Sequence, residues 1–239
     1  MLKTIIYFTF FWISFVLALP IGLVALLLRL LGLKQLIARP LQKFARLWAS
    51  ILMFLTGSQL EVKGLENIPS EGGVCFVGNH PGDFDILIAI VLIDRPFGFT
   101  AKKEALYFPF VGLWVWLLGG VFIDRKSARK GFLAIKEGAS AIEKGGAMII
   151  FPEGTRNRGK GLLPFRAGAF KLATMAQSPI VPLSIVGSHE VWETTKRIKA
   201  AKVKISFGPP IPTSHLSPEQ RRALPDLTRK VIQDMLDSM

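Results

Sequence analysis

An uncharged stretch near the amino terminus, from Thr4 to Leu28, constrains the fold of this chain more than any other feature. A run of about 20 apolar residues is long enough to cross a bilayer. Pro20 and Gly22 interrupt the run, so a kinked or re-entrant helix is an equal alternative to a spanning one. We therefore expect an apolar helix over residues 4–31 that enters a membrane in one of these two ways.

A second segment, residues 40–56, is predicted to be an interfacial helix. It has a basic start and then turns apolar, and it is too short to span a bilayer. Four basic residues follow the first apolar run with no acidic residue among them: Lys34, Arg39, Lys43 and Arg46. Positive flanks of this kind face the cytoplasm. We therefore predict that residues 1–57 are a two-helix anchor in the inner membrane, with the rest of the chain on its cytoplasmic face.

The overall composition agrees with a membrane-surface protein and argues against a nucleic-acid binder. The formal net charge is +13, yet half of the residues are hydrophobic. High positive charge combined with high hydrophobicity is typical of a protein that rests on anionic lipids. The single cysteine, Cys75, excludes an intrachain disulfide and is predicted to be a buried structural thiol. The chain also lacks the glycine-rich phosphate-binding motifs of nucleotide-binding modules.

After residue 57 the pattern changes to strands that alternate with helices. The predicted strands are 60–62, 74–77, 97–101, 121–123, 147–151, 180–186 and 202–207, and the predicted helices are 83–93, 105–118, 127–144 and 167–177. A carboxy-terminal helix begins after a candidate cap at Ser217 or, alternatively, nearer to Pro225. This alternation predicts an α/β layered domain over residues 58–239.

A histidine and an aspartate lie five residues apart where one apolar strand ends, in the segment VCFVGNHPGDFD. Pro81 and Gly82 predict a turn, so His80 should leave the strand and Asp85 should lie in the first turn of the next helix. Across such a corner the carboxylate can fold back onto the imidazole. The other ring nitrogen is then available to take a proton, as a general base requires. Taken alone, a satisfied structural pair is the commoner explanation.

The segment FPEGTR, at Phe151 to Arg156, ends another predicted strand and has the features of an anion site. Gly154 lets the backbone approach a ligand closely, and Arg156 offers a planar guanidinium suited to a phosphate. Glu153 can orient that arginine or a substrate hydroxyl. Taken alone, a strand end of this kind is usually a structural turn.

Other charged stretches are ambiguous by themselves. Asp124-Arg125 can be a surface salt bridge, and Lys102 to Glu104 can be a solvated cluster. Basic residues are also frequent after FPEGTR, at Arg158, Lys160, Arg166 and Lys171, and again from Lys196 to Lys204. An anion-binding rim and a solubilising face both explain them, and charge alone does not decide.

Together, these stretches resemble four ordered blocks of the glycerolipid acyltransferase family, whose members include 1-acylglycerol-3-phosphate acyltransferases. The blocks are the His-x4-Asp signature at His80 and Asp85, the segment from Lys102 that ends in GGVFIDR at Arg125, FPEGTR, and Val181-Pro182-Leu183. The match covers roughly residues 60–207. It implies a mixed sheet flanked by helices. One departure is Asp83, which adds a second carboxylate near His80 and is predicted to raise its basicity.

The resemblance also implies the chemistry. His80 would take the proton from the free hydroxyl of a lysolipid, Asp85 would hold the imidazole, and the hydroxyl would attack an acyl thioester without a covalent acyl-enzyme. The implied substrate-binding residues are Lys102, Arg125, Glu153, Gly154, Thr155 and Arg156. No metal and no cofactor are expected, and the acyl donor would be acyl-CoA or acyl carrier protein.

The leading hypothesis is acyl transfer to the sn-2 hydroxyl of 1-acyl-sn-glycerol-3-phosphate, which yields phosphatidic acid for phospholipid synthesis. The expected partners are lysophosphatidic acid and anionic membrane lipids, and no nucleic acid. One alternative is the same chemistry on another acceptor, such as a lyso-ornithine lipid or another lysophospholipid. A second alternative is a membrane-anchored lipid-binding protein without turnover.

Overall fold

The strands of the chain form one sheet in the computed structural model, which describes residues 1–108 and 110–239. The strands are β1 (Gln59–Lys63), β2 (Val74–Gly78), β3 (Phe97–Lys102), β4 (Val121–Ile123), β5 (Ala147–Ile150), β6 (Ile180–Val186) and β7 (Lys202–Phe207). Their order across the sheet is β1-β7-β6-β2-β5-β3-β4. All neighbouring strands are parallel except β6 and β7, which are antiparallel. The sheet is therefore mixed, as the resemblance implies.

Helices cover both faces of this sheet. They are α1 (Leu2–Leu17), α2 (Leu19–Leu30), α3 (Lys34–Thr56), α4 (Phe84–Leu92), α5 (Val111–Leu117), α6 (Ala128–Glu143), α7 (Lys171–Met175) and α8 (Pro218–Asp237). One apolar core joins α1, α3 and α4 to one face through Tyr7, Leu52 and Ile88. A second core joins α6, α7 and α8 to the opposite face through Ile135, Leu172 and Ile232.

The strand directions decide where the chemistry-bearing segments meet. Strands β2, β3, β4, β5 and β6 run parallel to one another, so their carboxyl ends lie at one edge of the sheet. In open α/β sheets this edge is where ligands bind. His80 follows β2, the FPEGTR segment follows β5, Arg125 follows β4 and Ser188 follows β6.

The predicted strands agree closely with the observed ones. Three have the predicted bounds, and the other four differ by no more than one residue at either end. Apolar runs bounded by glycine and charged residues define buried strands well, because both of their faces are covered by helices.

The predicted apolar helix over residues 4–31 is present as two helices, α1 and α2, which meet at Ala18 with a bend of 46°; this agrees with the kinked alternative rather than with one continuous helix. Pro20 causes the division, since it lies in the first turn of α2, where proline is tolerated. Within the described residues, no helix taken singly is long and apolar enough to cross a membrane. The bent pair α1–α2 meets that criterion when its two halves are counted together.

The predicted interfacial helix over residues 40–56 begins earlier than expected, at Lys34, with Pro40 inside it. A proline inside a helix costs one backbone hydrogen bond. Burial of the apolar stripe of α3, including Leu41, Ala45 and Leu52, offsets that cost. The helix ends at Gly57, whose left-handed conformation caps it.

Two predicted helices are only partly α-helical. In place of 105–118 the structure has a 3-10 helix at Lys103–Tyr107 followed by α5, and Pro109 lies outside the described residues. In place of 167–177 it has a 3-10 helix at Ala167–Phe170 followed by α7. At α8 the candidate cap is confirmed: Ser217 and Gln220 form a capping box, and Pro225 lies inside the helix.

Candidate active site

His80 and Asp85 form the predicted pair across the strand-turn-helix corner. His80 Nδ1 lies 2.6 Å from Asp85 Oδ2, and the carboxylate is completely buried. Two further donors hold it: the backbone N–H of Gly82 donates to Oδ2 over 2.9 Å, and the Ser188 hydroxyl donates to Oδ1. An ionised carboxylate only accepts hydrogen bonds, so Nδ1 carries the proton and Nε2 is the basic nitrogen.

The corner that carries His80 is held in place by Asn79. Its side-chain amide donates to the carbonyl of Ile185 over 2.8 Å and accepts from the N–H of Ile185 over 2.8 Å. These two bonds continue the ladder between β2 and β6 after the backbone has turned away. The carbonyl of His80 accepts from the N–H of Asn157 over 2.8 Å, which joins the corner to the loop after FPEGTR.

Phe151 and Glu153 both contact His80, the first through its ring and the second through a backbone hydrogen bond. The imidazole of His80 stacks on the Phe151 ring, with centroids 4.3 Å apart and an interplanar angle of 10°. Glu153 Oε1 accepts from the backbone N–H of His80 and from the side chain of Asn157, each over 3.0 Å. Oε2 accepts from the backbone N–H of Leu163 over 3.3 Å. The buried carboxylate thus joins three segments around the histidine.

The position of Glu153 differs from the expectation that it touches the substrate. Its carboxylate is directed at backbone and amide donors, and the residue is not among those that line the cavity described below. Burial raises the pKa of Glu153, and its effect outweighs the hydrogen bonds to the carboxylate, which lower that pKa.

Arg156 is held at the edge of the site by two carboxylates. Its Nη1 contacts Asp83 and lies 3.5 Å from Glu193 Oε1. Glu193 also accepts from the backbone N–H of Asp83 over 2.5 Å, so it ties the first turn of α4 to the arginine. Burial raises the pKa of the Glu193 carboxyl. Asp83 therefore pairs with Arg156, whereas the sequence suggested an effect on His80.

Two more cations, Arg125 and Arg166, lie next to Gly154. Its φ of 71° is in the left-handed region, and its carbonyl accepts from Arg125 Nη1. A Cβ added at Gly154 would lie 2.7 Å from Arg166 Nε, so any other residue would displace that guanidinium from its present position. The two arginines therefore meet at one residue of the FPEGTR segment.

A cavity of about 570 Å³ opens above His80. One part is polar and mainly cationic; besides Asp83, the partner of Arg156, it is lined by Lys102, Arg125, Gly154, Thr155 and Arg156. The other part is apolar and extends toward the amino-terminal helices, where it is lined by Tyr7, Phe8, Phe11, Phe15, Trp48, Phe84 and Trp114. Of the predicted site residues, these five and His80 thus share one cavity, while Asp85 lies buried behind the histidine.

The remaining candidates for chemistry lie elsewhere. Cys75 is fully buried on β2, and burial raises the pKa of its thiol, as expected of a structural cysteine. Across residues 1–108 and 110–239, no group of three or more His, Cys, Asp or Glu side chains is arranged to hold a metal ion.

Sequence comparison agrees with this site. Residues 59–186, which contain the histidine corner and FPEGTR, match the sequence profile of the family described as Acyltransferase. The chain is also 33% identical over 189 residues to 1-acyl-sn-glycerol-3-phosphate acyltransferase alpha of Homo sapiens, over 78% of this chain and 67% of that protein. The chain belongs to the acyltransferase family.

Two further relatives extend this result. This acyltransferase is 32% identical over 184 residues to the 1-acyl-sn-glycerol-3-phosphate acyltransferase of Escherichia coli K12, over 76% of this chain and 74% of that protein. Its fold is similar to the crystal structure of the 1-acyl-sn-glycerophosphate acyltransferase PlsC of Thermotoga maritima. The TM-score is 0.77 at 23% identity, and the alignment covers 98% of this chain and 95% of the other. The mixed sheet flanked by helices is therefore the fold of this acyltransferase.

Ser188 and Glu193 belong to the site of this acyltransferase, and the sequence reasoning missed both. Each follows β6, more than 100 residues after its partner: Ser188 is 103 residues from Asp85, and Glu193 is 110 residues from Asp83. Their only sequence signal is that they follow a buried strand, as His80 and FPEGTR do. Phe151 is part of the FPEGTR motif, but no sequence signal indicates that its ring stacks on His80.

Proposed function

We propose that this acyltransferase moves an acyl chain from an acyl thioester to the free sn-2 hydroxyl of 1-acyl-sn-glycerol-3-phosphate, which produces phosphatidic acid for phospholipid synthesis. The observation that carries the proposal is the His80–Asp85 pair at a cavity with one cationic and one apolar part. The names of the two relatives support this choice of acceptor.

The proposed reaction uses His80 as general base. Nε2 takes the proton of the hydroxyl as its oxygen attacks the thioester carbonyl, and Asp85 stabilises the imidazolium that forms. A C–O bond forms and the C–S bond breaks, and the imidazolium returns the proton to the leaving sulfur. The imidazole is 20% exposed while Asp85 is fully buried, an arrangement that suits a base open to substrate and a carboxylate shielded from water.

In this proposal Arg156 binds the phosphate of the acceptor. Both of its carboxylate contacts in the described residues use Nη1, and a guanidinium carries three further N–H donors on Nη2 and Nε. Asp83 and Glu193 would therefore position the arginine through Nη1 and leave its three donors on Nη2 and Nε for the phosphate. Lys102, Arg125 and Thr155 line the same part of the cavity and add charge and a hydroxyl.

The apolar part of the cavity suits an acyl chain, and its walls come partly from α1. We propose that α1 and α2 anchor the chain in the membrane, with the site at the cytoplasmic surface, so that the lysolipid reaches His80 without leaving the bilayer. Exposed apolar side chains support this anchor, since Leu2, Leu17 and Leu30 are each more than 70% exposed. Basic residues of α3 would face anionic headgroups.

The test of the reaction is acyl transfer to lysophosphatidic acid by purified protein in liposomes, with acyl-CoA and acyl carrier protein as donors. We expect His80→Ala to reduce kcat by about 10²–10⁴-fold, the usual contribution of a general base. The exposed His215 provides a matched control, and His215→Ala should retain activity. Transfer that survives His80→Ala would exclude this mechanism. Faster transfer to another lysolipid, compared by kcat/KM, would overturn the choice of acceptor.

The anchor is tested by liposome flotation. Leu17→Lys and Leu27→Lys place a charge on exposed apolar positions of α1 and α2, and each should weaken binding to vesicles. Leu227→Lys is the control, because Leu227 is an exposed leucine of α8, on the other side of the sheet. Equal flotation of all three variants would contradict the anchor.

A further inference from the structure

A second cavity, of about 300 Å³, lies beside the one above His80. The two cavities share a wall formed by Thr100, Arg125, Phe151 and Gly154. Phe151 is also the ring on which His80 stacks, so the second cavity begins one aromatic ring away from the proposed base.

The second cavity is strongly cationic. Arg166 and Lys171 line it and do not line the first cavity, while Arg125 lines both. Arg166 packs against Gly154, and Lys171 Nζ lies 5.3 Å from the centre of the Phe132 ring. Burial lowers the pKa of the Arg125 guanidinium, and the nearby charge of Arg166 lowers it further.

One carboxylate also lines this cavity, and it already has partners. Asp124 Oδ2 lies 3.2 Å from Lys103 Nζ, and Oδ1 accepts from the backbone N–H of Lys126 over 3.0 Å. Among the described residues, three cations therefore line the cavity against one engaged carboxylate. A cavity of this charge suits a phosphate group.

The acceptor phosphate is not the natural occupant. Of the cations proposed for that phosphate, Arg156 and Lys102 line only the first cavity, and Arg125 lies in the wall between the two cavities. The acyl donor also carries phosphate. Its thioester must reach His80 with the acyl chain in the apolar part of the first cavity, so the rest of the donor extends away from that part. The second cavity adjoins the first at the shared wall and offers room for this portion of the donor.

We propose that Arg125, Arg166 and Lys171 bind the phosphate of the pantetheine arm of the acyl donor in the second cavity. This inference rests on the proposed acyl transfer and specifies its donor site. The phosphopantetheine arm is common to coenzyme A and to acyl carrier protein, so the proposal names their shared chemistry.

The test measures KM for donor and acceptor separately in Arg166→Gln, Lys171→Gln and the double variant. The donors are acyl-CoA, the acylated form of acyl carrier protein, and S-acyl pantetheine. The last of these is a thioester without a phosphate group. We expect each single substitution to raise the donor KM by about fivefold to tenfold, as loss of one charged hydrogen bond at a partly exposed site would. The KM for lysophosphatidic acid and all rates with S-acyl pantetheine should stay unchanged. Lys136→Gln removes an exposed lysine of α6 outside the cavity and is the matched control.

Each other result overturns the proposal. A rise in the KM for lysophosphatidic acid alone would assign the cavity to the acceptor. An equal penalty with S-acyl pantetheine would show that phosphate is not what the cations bind, and a penalty with acyl-CoA alone would assign them to the nucleotide phosphates. If the wild-type protein transferred no acyl group, the proposed function would fail by itself. Binding of coenzyme A, measured by calorimetry, would still test the cavity. We expect the affinity of the double variant for coenzyme A to be at least about tenfold lower than that of the wild-type protein. Equal affinities would contradict the proposal.

Discussion

Ser188→Ala removes one of the three donors that hold the Asp85 carboxylate. The serine hydroxyl donates to Oδ1, while Gly82 and His80 both donate to Oδ2. Ser188 and Asp85 are both fully buried, so no solvent replaces the lost donor at once. The variant therefore leaves Oδ1 without the only protein donor that the described residues provide for it.

The expected magnitude follows from the charge and burial of that bond. A hydrogen bond to a charged group contributes about 1.5–3 kcal/mol, so we expect the free energy of unfolding to fall by about 2 kcal/mol. If the whole of that energy were lost from the transition state, kcat would fall about 30-fold. The two remaining donors still orient the carboxylate, so we expect kcat to fall by about 5–30-fold with little change in KM.

The assay pairs denaturant unfolding with acyl transfer, and β6 offers a matched control. Ser184 is also fully buried on this strand, but the hydrogen-bond partner that the described residues provide for its hydroxyl is the Met239 sulfur, 3.8 Å away. Ser184→Ala should therefore cost less than about 1 kcal/mol and leave kcat unchanged. If Ser184→Ala and Ser188→Ala lost the same stability and activity, the argument that Ser188 holds Asp85 would be refuted.

Three further predictions concern neighbouring residues. Asp85→Asn should lower kcat by about 10³–10⁴-fold without unfolding the protein, because the imidazolium loses its counter-charge; a loss below tenfold would argue against this role. Gly154→Ala should cost the backbone energy of a left-handed alanine, about 1–2 kcal/mol, and should in addition displace Arg166. Gly145→Ala, at another left-handed glycine but with no atom within 4 Å of its added Cβ, should show only the backbone cost, and equal thermal shifts would exclude the displacement. Burial raises the pKa of Glu153 above its ordinary 4.5, so its contribution to stability is present below pH 4.5 and is lost as the pH rises through the raised pKa. Glu153→Gln should remove this decline from a pH series of melting temperatures, and an unchanged slope would contradict it.

The sheet and the His80–Asp85 pair were predictable because their signals are local. The strands are either short apolar runs or, at β1 and β7, alternating polar and apolar residues, and the pair needs only a turn and five residues of chain. The amino-terminal helices were less predictable. One proline lies at the start of α2 and another lies inside α3. Whether a proline ends a helix or is tolerated within it depends here on how the apolar stripe of the helix packs.

The sequence by itself determined which segments leave the strands with reactive side chains: His80, Arg125 and FPEGTR each follow a buried run directly. Only the tertiary structure decided which of these segments meet. Because β2 pairs with both β5 and β6, Phe151 comes to lie under His80 and Ser188 reaches Asp85 across 103 residues. Pairing of distant strands depends on the packing of the whole sheet, and no local pattern records it.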